Sequence, residues 1–287
     1  GSPTMSSFIE QNRESLDADV IVIADSGNVK IGVPTITTTL RGLVDAIIEV
    51  DQPMRPIHSG VGGGVVPDAF MILSRIISSF HNDKGELLIE GLTPTKQDVF
   101  ELTDEFVKSS LSSNGVELFE MDSYSKRLWL EPALSILAID APPVAESVNL
   151  LIPKAKAKIS LRLPPTEDPD HAMNMLEKHI KENTPFNANV EFIPEAKGKG
   201  ILVDPRNEFS SKLIESFNKH WENEVAYMGV GGSIPFANVF INEFPNSEIV
   251  LVGAGDEEGN AHAPNESVNI IDIQRLIDSL TDAISNY

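Results

Sequence analysis

The sequence predicts an α/β domain into which an α+β domain is inserted. Three observations lead there. Residues 18–25, "ADVIVIAD", are a short β-branched apolar run closed by the polar turn "DSGN", the pattern of a buried strand. From about residue 200 the same α/β texture returns, with a helix over 207–222, a Gly-rich turn, the apolar strand "SEIVLVGAG" (247–255) and a helix over 271–285. Between these two stretches, strands and helices follow one another in α+β order. The economical reading joins residues 1–33 and 198–287 into one discontinuous domain and makes 34–197 the insert.

Each element of the insert has its own warrant. "TITTTLRGLVDAIIEV" (35–50) is rich in Thr, Ile and Val and partly alternating, which predicts an amphipathic strand and its continuation. "PDAFMILSRIISSFHNDKG" (67–85) has Phe70, Leu73, Ile76, Ile77 and Phe80 at helical spacing, Pro-Asp at its start and Gly85 after its end. Residues 95–112 predict a second helix, followed by a polar stretch over 113–125. "ALSILAID" (133–140) and "AKAKISLRL" (155–163) predict strands. The second alternates Lys and Arg with Ala, Ile and Leu, as in a sheet with one wet face. "DPDHAMNMLEKHIKEN" (168–183) predicts a helix with an Asp-Pro start, and "ANVEFI" (188–193) another strand.

Composition narrows the function. The 287 residues are 41% hydrophobic, enough for a core and long for one domain. There is no cysteine, which excludes disulfides, zinc fingers, iron–sulfur clusters and thiol nucleophiles. A formal net charge of −21 argues against nucleic acid as a partner, because phosphate binding needs a basic surface. No apolar run is long enough for a membrane span and no charged-then-apolar leader is seen, so a soluble cytoplasmic protein is the expectation.

The candidate site residues, Arg162 apart, lie on loops or at strand ends. Asp25 ends the first predicted strand, where open α/β sheets bind ligands, although an Asp in "DSGN" also suits a turn cap. "HSGVGGG" (58–64) offers His58 and bare backbone N–H groups. It fails the dinucleotide fingerprint because Val65 stands at the third glycine position. "GVGGSIP" (229–235) carries Gly232 and Ser233 before a helix start, a fit for an anion or simply a tight turn; Ile234 breaks the fingerprint there. Arg162 on a strand face suits a bidentate carboxylate clamp or plain solvation, and Asn149 lies at the other end of "LLIPKAKAKISL". His262, in "GAGDEEGNAHAPNE", follows an acidic run on a Gly/Asn/Pro-rich loop and suits solvent-facing, structural or ligand roles. His81, His171, His179 and His220 lie among charged residues of predicted helices and are expected at the surface.

Taken in order, "VIADSGN", "TTLRG", "HSGVGGGVVPDA", "DKGELLIEGL", "PALSILAID", "SVNLLIPKAKAKISLRLPP", "GVGGSIPF" and "AHAPNESV" resemble the M20 family of zinc metallopeptidases, in its carnosine-dipeptidase-like branch. The resemblance implies an αβα zinc-peptidase-like catalytic domain, present here in part. It also implies an inserted ferredoxin-like lid of four antiparallel strands and two helices that makes a homodimer. It implies two zinc ions, or manganese or cobalt, with Asp25 on one and His262 on the other. By the same resemblance His58 reaches the neighbouring subunit's site and stabilises the oxyanion. Asn149, Arg162, Gly232 and Ser233 would hold a small peptide substrate, with Arg162 on its terminal carboxylate.

One departure accompanies the likeness. The family's His-x-Asp motif, its bridging aspartate and its Glu-Glu pair lie upstream of the strand carrying Asp25, and no histidine precedes His58 here. "GSP" at the start resembles the sequence that follows that Glu-Glu pair. The expectation is a C-terminal portion that binds zinc weakly and is inactive by itself; the alternative is a non-catalytic dimerisation module.

Overall fold

The computed structural model describes residues 4–110, 117–119, 121–232, 235–261 and 263–287. The first half of the chain forms α1 (Met5–Gln11), α2 (Arg13–Leu16), β1 (Val20–Ile23), β2 (Thr35–Leu40), β3 (Gly42–Asp51), α3 (Ser59–Gly62), α4 (Ala69–Ser78), α5 (Asp104–Ser110), α6 (Tyr124–Trp129) and β4 (Ala133–Asp140). The second half forms β5 (Lys154–Leu163), α7 (Pro169–Glu182), β6 (Val190–Gly198), β7 (Ile201–Leu202), α8 (Glu208–His220), β8 (Ala226–Val230), α9 (Pro235–Glu243), β9 (Glu248–Leu251) and α10 (Ile270–Ser285).

The inserted unit is a four-stranded antiparallel sheet in the order β4-β5-β3-β6, with α4 and α7 on one face. The alternation of β5 sorts its side chains. Ala155, Ala157, Ile159, Leu161 and Leu163 are buried under the helices. Lys154, Lys156 and Lys158 stand on the other face and pair with Asp51, Glu49 and Glu195 at 2.6, 2.7 and 2.6 Å. Both helices have a carboxylate at the N-terminus. Asp68 accepts from the Met71 N–H at 2.9 Å, and Asp168 from those of Asp170 and His171 at 2.9 Å.

The second unit holds a parallel pair, β1-β9, and a three-stranded sheet, β7-β2-β8, in which β2 and β8 are parallel. Two apolar clusters join these sheets to one another and to α8, α9 and α10. Glu248 on β9 caps α8 from a distance, accepting from the N–H groups of Phe209 and Ser210 at 2.9 and 2.7 Å.

Four expectations change. Residues 35–50 are not one strand and its continuation: β2 pairs with β7 and β8, whereas β3 pairs with β5 and β6. The chain therefore crosses between sheets at Arg41. Residues 95–103 are not helical, because their backbone groups are taken by other segments. The Thr95 N–H donates to the Leu130 carbonyl, Phe100 to Tyr227 and Leu102 to the Ser125 hydroxyl. On α4, Phe70 faces solvent and Ile72 takes its place in the core with Ala69, Leu73 and Ile76. His179 is buried rather than at the surface, and His81 lies beyond the end of α4.

Candidate active-site cleft

Asp25 owes its position to two strand extensions. Beyond the parallel β1-β9 pair the chains continue side by side: the Ser26 N–H donates to the Val252 carbonyl at 3.2 Å and Asn28 to Gly255 at 2.7 Å. Glycine is required for this approach. A Cβ on Gly253 would stand 1.7 Å from the Ser26 oxygen, and one on Gly27 2.7 Å from the Gly255 oxygen. The strands thus deliver Asp25 to a cleft of about 610 Å³ at their C-terminal ends.

Four carboxylates line that cleft: Asp25, Asp256, Glu257 and Glu266. Its apolar wall comes from Leu102, Trp129, Met228 and Val230. Asp25 makes no hydrogen bond or ion pair among the described residues. Asp256 accepts from the Glu258 N–H at 2.9 Å, and Glu257 from the Ile31 N–H at 3.1 Å. The Ser26 hydroxyl and the Asn28 side-chain amide are buried there without a partner among the described residues. Hard oxygen donors around an open cleft suit a divalent cation. No three His, Asp or Glu side chains converge on one point among the described residues, so this donor set is partial.

The other expected site residues fall into two places. His58 caps α3, its Nδ1 accepting from the Gly60 N–H at 3.0 Å, and it bridges Leu150 in an isolated antiparallel pair. The next residue, Ser59, donates to the Asn149 carbonyl at 2.9 Å, so His58 and Asn149 sit side by side on exposed loops. Neither lines the Asp25 cleft. Arg162, half-buried on β5, is near Gly231 through Arg41: Arg41 Nε donates to the Gly231 carbonyl at 3.4 Å, and the Arg162 charge acts on Arg41. Gly232 is exposed, with open space where a side chain would be. Ser233 and His262 lie outside the described residues.

Sequence reasoning missed the burial of Arg41 and three of the four cleft carboxylates. Burial first, then the Arg162 charge, pulls the Arg41 guanidinium down to about 10, which leaves it protonated at neutral pH. The signal for Asp256 and Glu257 was the acidic run before His262. For Arg41 it was one charged residue between two strand patterns.

A carboxylate-lined cleft at parallel strand ends, beside an inserted antiparallel sheet with two helices, defines a mixed α/β architecture. The chain belongs to the M20 peptidase family, whose peptidase dimerisation domain matches residues 38–188. It is 31% identical over its whole length to the cysteinylglycine-S-conjugate dipeptidase of Corynebacterium striatum, covering 64% of that protein. It is 25% identical over 91% of its length to a Cys-Gly metallodipeptidase of Saccharomyces cerevisiae, covering 57% of that protein. Its fold is similar to that of human carnosine dipeptidase 1, with a TM-score of 0.75 and 21% identity over the whole chain and 64% of that structure. The chain thus spans 57–64% of the length of these relatives. No helix among the described residues is long and apolar enough to cross a membrane.

Proposed function

We propose that this chain carries the substrate-binding part, and some of the metal ligands, of a metal-dependent dipeptidase of the cysteinylglycine-hydrolysing kind. The observation that carries the reading is identity along the whole chain to a named dipeptidase, together with Asp25 in a carboxylate-lined cleft. In this reading Asp25 holds one zinc ion and His262 the other of a dinuclear centre. When bound, the metal pair polarises the scissile carbonyl and supplies a hydroxide at neutral pH. Arg162, Gly232 and Ser233 hold the peptide's terminal carboxylate. His58 and Asn149, exposed together on neighbouring loops, serve the site of a second copy of the chain. That role fits their absence from the lining of the Asp25 cleft, and makes the enzyme a homodimer through its inserted sheet.

Asp25 and His262 give each metal one protein ligand, whereas a catalytic zinc takes three. We infer that the 287 residues by themselves bind zinc weakly and do not hydrolyse peptides. A complete centre needs further donors. Metal content per chain, measured by mass spectrometry after equilibration with trace zinc, tests this. Near zero is expected, with no release of glycine from Cys-Gly. About two ions per chain, or hydrolysis lost on Asp25→Asn, would overturn the inactivity and leave the dipeptidase reading standing.

A further inference from the structure

The described residues of 95–130 lie in sequence within the inserted unit, between α4 and β4, yet they pack on the second unit. Leu102, Trp129 and Leu130 form one apolar cluster with Val29, Ala226 and Met228. Backbone groups hold this arm in place. The Phe100 N–H donates to the Tyr227 carbonyl of β8 at 2.7 Å, and the Leu102 N–H to the Ser125 hydroxyl at 2.8 Å. Gly229 on β8 leaves room for it, since a Cβ there would stand 2.3 Å from the Trp129 Cβ. The arm thereby fixes Leu102 and Trp129, each only 6% exposed, and the partly buried Phe106 in the wall of the Asp25 cleft.

The rest of the lining is of the opposite chemistry. Asp25, Asp256, Glu257 and Glu266 bring negative charge, and no lysine, arginine or histidine lines the cleft among the described residues. The Ser26 hydroxyl and the side-chain amide of Asn28, a residue 7% exposed, are buried there without a hydrogen-bond partner among the described residues. Buried polar groups are ordinarily paired, so the cleft is built for an occupant. That occupant needs a cationic group for the carboxylates, polar atoms for Ser26 and Asn28, and apolar area for the arm. The first residue of a peptide has all three: an α-ammonium, an amide carbonyl and a side chain.

We propose that the arm selects substrate by its amino-terminal residue. Leu102, Phe106 and Trp129 receive an apolar side chain, and the cleft carboxylates left free by metal attract the α-ammonium beside it. The inference rests on the dipeptidase reading and adds selectivity for the first residue. The direction of the peptide follows from charge. Its terminal carboxylate goes to Arg162 and Gly232, neither of which lines this cleft, so the amino end is the one that enters. Glycine in first place leaves the wall facing water and binds less well. An acidic first residue meets both an apolar wall and like charge.

The test uses four probes, leucylglycine, glycylglycine, glycylleucine and N-acetyl-leucylglycine, in tryptophan fluorescence titrations of the 287-residue chain, because Trp129 lines the cleft. Leucylglycine should bind about 10–100-fold more tightly than glycylglycine, the range for burying one branched apolar side chain. Glycylleucine carries the same side chain on the second residue and should bind like glycylglycine. N-acetyl-leucylglycine lacks the ammonium and should lose most of the advantage. Leu102→Ser should bring the affinities for leucylglycine and glycylglycine together. Should that variant not fold, Phe106→Ser, at a less buried position of the arm, decides. A preference kept in the folded variant overturns the role of the arm. Glycylleucine binding as tightly as leucylglycine, or leucylglycine no more tightly than glycylglycine, overturns the selection of the first residue and leaves the dipeptidase reading standing. Binding of none of the four removes both.

Discussion

The imidazole of His179 is held between Ser79, whose hydroxyl and carbonyl both lie 3.1 Å from its Nε2, and the Phe80 ring, stacked at 5.3 Å between centroids. Burial pushes its pKa below the usual 6.5, outweighing the Ser79 carbonyl and the acidic Glu182 and Glu90 nearby. The sign follows from proton linkage. A histidine depressed in the folded state binds its proton more tightly when unfolded, so its neutral form contributes fully above about 6.5 and stability falls as the pH drops below that. Urea unfolding at pH 7.5 and 5.5 should show a loss for the unmodified chain and a smaller one for His179→Gln. An equal loss in both would place the acid sensitivity elsewhere. His179 also shows why site and core residues are hard to sort from composition. Its neighbours Lys178, Lys181 and Glu182 are charged, which suggests a wet face, yet it falls one turn from Leu176 and two from Ala172 on the buried stripe of α7. The position of Asp25 at the strand end was legible because a β-branched run stops dead at a polar turn. Arg41 was not, because nothing in one arginine between two strand patterns says that it will be buried without a counter-ion.

Elements were legible where one period ruled their whole length. The spans read for α4, α7, α8 and α10 all recur as helices, because each has a single apolar stripe packed on a sheet or on another helix. Residues 95–103 defeated the same reasoning. Their apolar members Val99 and Leu102 pack against the second unit as irregular chain, and tertiary hydrogen bonds replace the intrahelical ones. Likewise period alone did not show that 35–50 serves two sheets, since both strands are β-branched and the break is one residue long. The cleft floor depends on another feature that sequence hides, the backbone contact of the β1 and β9 extensions. Gly253→Ala would drive a methyl group into the Ser26 carbonyl. We expect a loss of about 1–3 kcal/mol, or more if the strands cannot separate, the range for overpacking a tight contact. Chemical denaturation of the variant measures it, and a change below about 0.5 kcal/mol would show that the floor yields.

At the scale of the whole molecule, the inserted sheet has two edges of opposite character, β6 and β4. On β6, Pro194 removes a donor, and Glu191, Glu195 and Lys197 place charges along the strand. Such an edge resists pairing. The opposite edge, β4, pairs with no strand but β5 among the described residues and carries no proline. It exposes Leu137 and Ile139 at 55% and 48%, and the segment after it exposes Val144 and Val148. An apolar strand with unpaired backbone groups is a template for another strand, and the match to a peptidase dimerisation domain spans it. We therefore expect a homodimer in which β4 lies at or near the interface, with His58 and Asn149 carried on loops of the same unit. Sedimentation equilibrium should give a dimer for the unmodified chain at about 10–50 μM, the range in which a specific interface of ordinary size is occupied. Leu137→Lys with Ile139→Lys should give a monomer of unchanged far-UV spectrum, because both side chains already face solvent within one copy. A dimer that survives both charges would move the interface to the other face of the inserted unit. A monomeric unmodified chain would remove His58 and Asn149 from the neighbouring site, leaving any chemistry to the residues of the Asp25 cleft.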